Sequence, residues 1–287
     1  MSKTTSFQTD FQVCNHNYKT NKFTPEYHIL SLSGGKDSTA LAFFMKENMP
    51  EIFEKTELVF YDTGCDLPET YDYLNKIEIF LNKKIIKIAP EKTFEHILIV
   101  NRVLPSHFRR WCTVELKVRP SLKYIEEKFK KEGKKNVNLY VGIRKDEEHR
   151  KGILLISDLE KKFVKPQYPL IENNICKNDV ERILIEHGIN YPSYYNYRSR
   201  NGCYFCFYQN PMDWINLYEK HPDLFKKASN YEKFTRKGSK RIFRWNEKYY
   251  LEDMIKPENM KKIKEDSKRN KKQPVTLNLF QSLADTL

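Results

Sequence analysis

No stretch of the 287-residue chain approaches the roughly 18–20 consecutive apolar residues that a membrane-spanning helix needs, so a role inside a bilayer is not expected. The opening segment, Met1–Thr20, lacks the apolar h-region of a secretory signal, which sets the expectation of a soluble, cytoplasmic protein. No internal repeat is present, which excludes a solenoid. Cysteine is sparse, with six in all, and in a reducing compartment these are not expected to pair as disulfides. They are then buried apolar residues, metal ligands or reactive thiols.

Positive charge is what the chain has in excess. The formal net charge is +13, with 31% charged and 39% hydrophobic residues, the mark of a chain that folds beneath a heavily charged surface. Such an excess points to a polyanionic partner, although alone it often marks only a well-solvated surface. Its distribution says more. Lys233–Lys272 holds 15 Lys and Arg against 6 Asp and Glu, so most of the excess sits in the last quarter.

Short apolar runs at Tyr27–Leu32, Thr56–Tyr61, Lys84–Ala89 and Val137–Ile143 read as buried strands. Between them Thr39–Lys46, Pro68–Leu81 and Val114–Lys131 read as helices, the last interrupted by Pro120. This alternation predicts an α/β fold, a mostly parallel twisted sheet with helices on both faces, plus a smaller helical, Cys-bearing C-terminal part. Ligands of such sheets sit at the carboxyl ends of the strands, so the loops after Leu32, Tyr61 and Val141 are expected around one crevice. Later helices are expected at Asp179–His187, Pro211–Lys220 and Pro222–Phe234. The chain is thus divided into a polar arm at 1–26, an ATP-binding core at 27–150, a Cys-containing helical region at 151–235 and a basic tail at 236–287. Within that tail Lys256–Lys272 is expected to be mobile and Val275–Leu287 to form a small docking helix.

Ser33-Gly34-Gly35-Lys36-Asp37-Ser38 lies between the first strand and the first helix. Paired glycines let the backbone turn sharply and approach a ligand. The helix that follows offers free N–H groups and the positive end of its dipole, which suits phosphate. Lys36 adds charge and Ser33 and Ser38 add hydroxyls. Asp37 beside phosphates makes sense chiefly with Mg²⁺ between them. The spacing is not that of a Walker A loop.

This hexapeptide resembles the pyrophosphate loop of the PP-loop ATP pyrophosphatase superfamily and, within it, the phosphoadenosine phosphosulfate reductase-like family. Asp62-Thr63-Gly64 with Pro68-Glu69-Thr70, Arg110-Trp111-Cys112-Thr113 with Leu116-Lys117, Gly142-Ile143-Arg144 with Glu147 and Arg150, and Gly202-Cys203-Tyr204-Phe205-Cys206 follow in family order. The resemblance implies that the loop holds the β and γ phosphates of ATP, that Asp62 lies near the adenosine, and that Arg144 and Arg150 bind phosphate. Lys36, Asp37 and Arg144 are its catalytic candidates. The alternative for the arginines is an ion pair with Asp146, Glu147 or Glu148.

Cys203 and Cys206 have a metal-type spacing that equally suits a redox dithiol. The resemblance adds Cys112, and three thiolates suit an iron–sulfur cluster, a 4Fe-4S type, with Cys176 or an open iron site as the fourth position. Zinc is the competing metal. Cys65 reads as a small buried residue and Cys14 as incidental. Sulfonucleotide reductases of the family carry a Cys near the C-terminus or adjacent central cysteines; here the last is Cys206 and Trp111-Cys112 has one. The expectation is therefore ATP-dependent adenylation of a substrate oxygen followed by sulfur transfer, with DNA or transfer RNA (tRNA) as partner and a cysteine desulfurase or other sulfur donor. The chain is similar to tRNA thiolation enzymes and to DNA phosphorothioation sulfurtransferases. Tyr191, Tyr194, Tyr195, Tyr197 and Arg198 are either a base-stacking segment or packing around the metal. The rival readings are sulfonucleotide reduction and zinc-stabilised amidation chemistry.

Overall fold

A computed structural model describes residues 26–133, 135–151, 163–237 and 243–272. The arm at 1–25 with Cys14, and the helix expected at 275–287, lie outside the described residues. The chain forms two compact units, one running to Thr93 and resuming at Cys112–Ser193, the other comprising Phe94–Trp111 and the chain from Tyr194 onward.

In chain order the elements are β1 (Glu26–Leu32), α1 (Lys36–Asn48), α2 (Pro50–Lys55), β2 (Thr56–Tyr61), α3 (Pro68–Leu81), β3 (Ile85–Ile88) and α4 (Phe94–Asn101). There follow α5 (Trp111–Thr113), a π-turn (Val114–Val118), α6 (Arg119–Glu132), β4 (Asn136–Tyr140), β5 (Val164–Gln167), α7 (Pro169–Glu172) and α8 (Lys177–Glu186). The remaining helices are α9 (Pro211–Lys220), α10 (Pro222–Arg236), α11 (Leu251–Met254) and α12 (Pro257–Lys272).

The first unit is built on a five-stranded, all-parallel sheet in the order β3-β2-β1-β4-β5. Side chains alternate across it with the period of two that a pleated strand imposes. Leu30 and Leu32 of β1, with Leu58 and Phe60 of β2, pack on α1, α3 and α8. Ile29, Val59, Val137 and Leu139 face the other way, onto Ile125 of α6. Helices therefore cover both faces, as the alternation of elements predicts. The strand order turns back at β1, which lies between β2 and β4, and in open α/β sheets ligands bind outside the strand ends at that point.

Two elements of this unit differ from the reading of the sequence. β5 is a short strand, Val-Lys-Pro-Gln, whose Pro166 argues against a strand on composition alone. The Phe163 and Gln167 carbonyls accept from Val137 and Val141, so the missing N–H of Pro166 points to the open side of the strand. Pro120 does not stop the helix: Arg119 N–H bonds the carbonyl of Val114, five residues back, and α6 then continues.

The second unit is helical around an aromatic core. Phe94 lies 4.0 Å from Phe205 and 5.1 Å from Trp111, ring centre to ring centre, and Phe205 stacks on Trp245 at 5.4 Å. Glu232, only 2% exposed, accepts from the backbone N–H groups of Trp245 and Leu251 at 2.9 and 2.8 Å, tying the segment before α11 to α10. The stretch expected to be mobile at Lys256–Lys272 is instead helix α12, with Pro257 opening it and Ile263 buried. Among the described residues no helix is long and apolar enough to cross a membrane.

Candidate active site

The β1–α1 connection is pinned by Ser38. Its Oγ accepts from the backbone N–H of Ser33 at 3.1 Å, donates to the Gly35 carbonyl at 3.2 Å, and lies 3.0 Å from Ser33 Oγ. Gly34 has a left-handed φ of 72°, and a Cβ there would fall 2.5 Å from Thr70 Cγ2, so the turn requires glycine. Gly35 is the N-cap of α1 and no side chain caps the first turn. Its amides and the positive end of the helix dipole are therefore disposed toward an anion.

Opposite this turn, the chain leaving β4 passes so close that a Cβ on Gly142 would lie 2.8 Å from both N and Cα of Ser38. Two residues on, Arg144 is 7% exposed. Its Nη1 donates to Asp37 Oδ1 at 2.7 Å, while Nε and Nη2 grip Asp146 at 3.0 Å each. Lys36 Nζ donates to the same Asp37 oxygen at 2.5 Å. Burial works against the charge of Arg144, but its hydrogen bonds to Asp146 and Asp37 outweigh it and raise the pKa further, so the guanidinium stays charged. The hydrogen bond from Arg144 holds the Asp146 carboxyl below the usual carboxylate range. Lys36 and Asp37, with Arg144 from 107 positions beyond Asp37, thus form one charged cluster at the end of β1 and β4.

Asp62 follows β2. It accepts from the Gly64 N–H at 2.9 Å and from the Tyr71 hydroxyl at 2.7 Å. Burial first, then the Asp62 carboxylate, push the Tyr71 phenol upward, so it remains the donor. Tyr71 was not singled out from sequence; its place one turn into a Pro-started helix, facing back to an Asp-Thr-Gly turn, was the available signal. Arg150 takes the ion-pair alternative: it is exposed and donates to Glu147 at 2.6 Å. Arg144 pairs with Asp146 and Glu147 too, but joins them to Asp37.

Asp37 suits Mg²⁺, because a hard carboxylate oxygen beside a phosphate cradle is the donor that ion shares with nucleotide oxygens. The thiols are a different matter. No disulfide links Cys65, Cys112, Cys176, Cys203 and Cys206. Cys206 N–H bonds the Cys203 carbonyl at 3.1 Å, closing a turn that the buried Arg198 holds through the Gly202 and Cys203 carbonyls at 2.8 and 2.6 Å. Cys176 is the N-cap of α8, its N–H bonded to Asp179 and its Sγ 3.7 Å from the Asn174 carbonyl. Among the described residues no three His, Cys, Asp or Glu side chains are gathered as a metal ion requires. Cys203 and Cys206 share one turn of the second unit, while Cys112 and Cys176 belong to the first. Tyr194 is fully buried and Arg198 is 3% exposed, so these two pack rather than present themselves to bases.

Comparison with known proteins places these residues in context. The family model described as phosphoadenosine phosphosulfate reductase domain matches residues 27–209. Two uncharacterised proteins of Methanocaldococcus jannaschii are similar. One is 30% identical over 119 residues, covering 42% of this chain and 23% of that protein; the other is 23% identical over 226 residues, covering 76% and 48%. An uncharacterised nin region protein of Escherichia phage lambda is 26% identical over 148 residues, covering 43% of this chain and 50% of that one. The chain thus spans about a quarter to a half of the length of these relatives. Among solved structures, phosphoadenylyl-sulfate reductase from Candida auris, as a phosphate complex, aligns at 18% identity and a TM-score of 0.44, covering 65% of this chain and 85% of that one.

Proposed function

Because the chain belongs to the phosphoadenosine phosphosulfate reductase domain family, a nucleotide-binding family of enzymes matched here over residues 27–209, we propose that it is an ATP pyrophosphatase whose adenylate drives sulfur transfer. The observation that carries the reading is the Lys36–Asp37–Arg144 cluster set on an uncapped helix N-terminus at the turning point of a parallel sheet. The first-turn amides, Lys36 and Ser38 bind the β and γ phosphates. Asp37 holds Mg²⁺ with the nucleotide, and the bound ion neutralises phosphate charge. Arg144, kept charged by Asp146, faces the anion that develops as the bond to the α-phosphate breaks. Asp62, oriented by Tyr71, receives the adenosine, and Arg150 exchanges Glu147 for phosphate.

The substrate's oxygen attacks the α-phosphorus of ATP, forming an oxygen–AMP bond and releasing pyrophosphate. Sulfide (HS⁻) then displaces AMP, so one oxygen leaves on AMP as sulfur takes its place; where a cysteine desulfurase supplies the sulfur as a persulfide, its terminal sulfur attacks instead and a thiol reductant cleaves the S–S bond that remains. Positioning and charge stabilisation dominate such transfers. The net charge of +13, concentrated in the last quarter, supports a nucleic acid as the substrate. Cys112, Cys203 and Cys206 are the thiols to test for a resident iron–sulfur cluster or zinc.

The family match also supports a second reading, reduction of a sulfonucleotide to sulfite. The two are separated by supplying ATP, Mg²⁺, a labelled sulfide source and either DNA or tRNA, against phosphoadenylyl sulfate with a thiol reductant. Label appearing in nucleic acid, dependent on ATP, supports sulfur transfer. Sulfite released from phosphoadenylyl sulfate with no ATP requirement overturns it in favour of the reductase.

A further inference from the structure

In the second unit the chain between α4 and Trp111 ends in a turn built to project. Arg102 closes α4 with a left-handed φ of 50° and an N–H bonded to the Leu98 carbonyl at 2.8 Å. The base of the loop is fixed: Leu104 is 3% exposed, Pro105 is buried, and Trp111 Nε1 donates to the Val103 carbonyl at 3.1 Å. Ser106 and Arg109 then exchange both backbone hydrogen bonds, at 3.2 and 3.1 Å, leaving His107 and Phe108 as the tip. Phe108 is 98% exposed. Among the described residues this phenyl ring, held on a braced turn, has no packing role.

The surroundings of this turn are basic and aromatic. The guanidinium groups of Arg110 and Arg200 lie over the Tyr208 ring at 5.9 and 4.8 Å, and the His107 ring meets Tyr208 edge-on at 4.4 Å. The Nε atoms of Arg110 and Arg200 are buried and bond nothing among the described residues. Neither arginine, nor Arg109, forms an ion pair with a carboxylate among the described residues. Sequestered guanidinium nitrogens without a counter-charge are costly unless an anion completes them. Arg200 Nη1 also donates to the Tyr208 carbonyl at 3.4 Å, and an exposed aromatic ring beside arginines that have no carboxylate partner among the described residues is the pairing that takes an unstacked base and its flanking phosphates.

We infer that the Ser106–Arg109 turn is a base-stacking finger for single-stranded nucleic acid. Phe108 stacks on a base while Arg109, Arg110 and Arg200 engage the backbone phosphates. The inference rests on a nucleic acid being the substrate proposed above and names the unpaired form as the one bound. The backbone is already fixed by the turn, so little ordering opposes binding.

The test uses the full chain and fluorescence anisotropy of a labelled single-stranded DNA and its RNA counterpart, with the matching duplexes as competitors. Phe108→Ala is expected to weaken single-strand binding by roughly tenfold. Arg200→Ala is expected to reduce the slope of log affinity against log salt by about one. Phe108→Trp is expected to keep the affinity and to show quenched emission on binding. Equal affinity of Phe108→Ala and the parent chain overturns the finger, as does preference for duplex or failure of the parent chain to bind any oligonucleotide. Release of pyrophosphate from ATP is assayed separately. Loss of the adenylation reading with Phe108-dependent binding intact leaves the finger standing, and the reverse result removes the finger alone.

Discussion

Gly142 lies with its Cα against the backbone of Ser38, so close that a methyl group would sit 2.8 Å from Ser38 N. The loop leaving β4 and the first turn of α1 are thereby fixed against each other. Arg144, two residues on, meets Asp37 because of this approach. Gly142→Ala forces one backbone to move, and overpacking of this kind costs about 1–3 kcal/mol. The expected outcome is a lower denaturation midpoint with an unchanged m-value, together with at least a tenfold loss of pyrophosphate release.

Arg144 grips Asp146 through two nitrogens and Asp37 through a third. A lysine keeps the charge but not the planar fork. Arg144→Lys is therefore expected to lose about 100-fold in kcat, close to Arg144→Ala, with a smaller change in ATP affinity. Near-parental turnover in Arg144→Lys would show that a point charge suffices.

Glu232 gives a pH dependence of stability. Burial pushes its carboxyl above the ordinary carboxylate range, against the opposing hydrogen bonds from Trp245 and Leu251; Arg236 lowers it and Glu252 raises it. With the folded value above the unfolded value of about 4.3, the native state holds its proton more tightly, so this contribution to stability falls as pH rises through that window and is constant above it. Glu232→Gln removes this fall. It also leaves one acceptor for two buried amides, at a cost of about 1–3 kcal/mol. Urea unfolding of both proteins across the acid range checks both effects.

The cysteine turn lies in the second unit, whereas the residues assigned to ATP lie in the first. Cys203→Ser and Cys206→Ser are expected to leave pyrophosphate release within about twofold of the parent while abolishing sulfur incorporation. Iron, sulfide and zinc assays on protein purified without oxygen, beside these variants, report whether the thiols hold a metal.

The parallel core was legible because β1 to β4 lie in compact apolar runs bounded by turn residues, and the phosphate loop because its glycines, lysine and serines stand directly between strand and helix. The juxtaposition of Asp37 and Arg144 is a product of strand order, which periodicity does not encode. α4 was not singled out because Ile97–Val100 has no polar interruption to mark a helical face, and Ile99 and Val100 are in fact exposed. β5 was hidden by Pro166, which is tolerated only because its ring faces away from β4. α12 reads as a charge run, with Ile263 its buried anchor. Tyr71 and Phe108 depend on where a turn points, and the residues themselves do not announce that.

The most direct measurement is product analysis with ATP labelled at the α-phosphate, Mg²⁺ and nucleic acid, comparing the parent chain with Asp37→Ala. The expected result is labelled AMP or an adenylated acceptor, with an equal amount of pyrophosphate, from the parent and neither from Asp37→Ala. Labelled ADP with inorganic phosphate, or full turnover in Asp37→Ala, would contradict cleavage between the α and β phosphates at this loop.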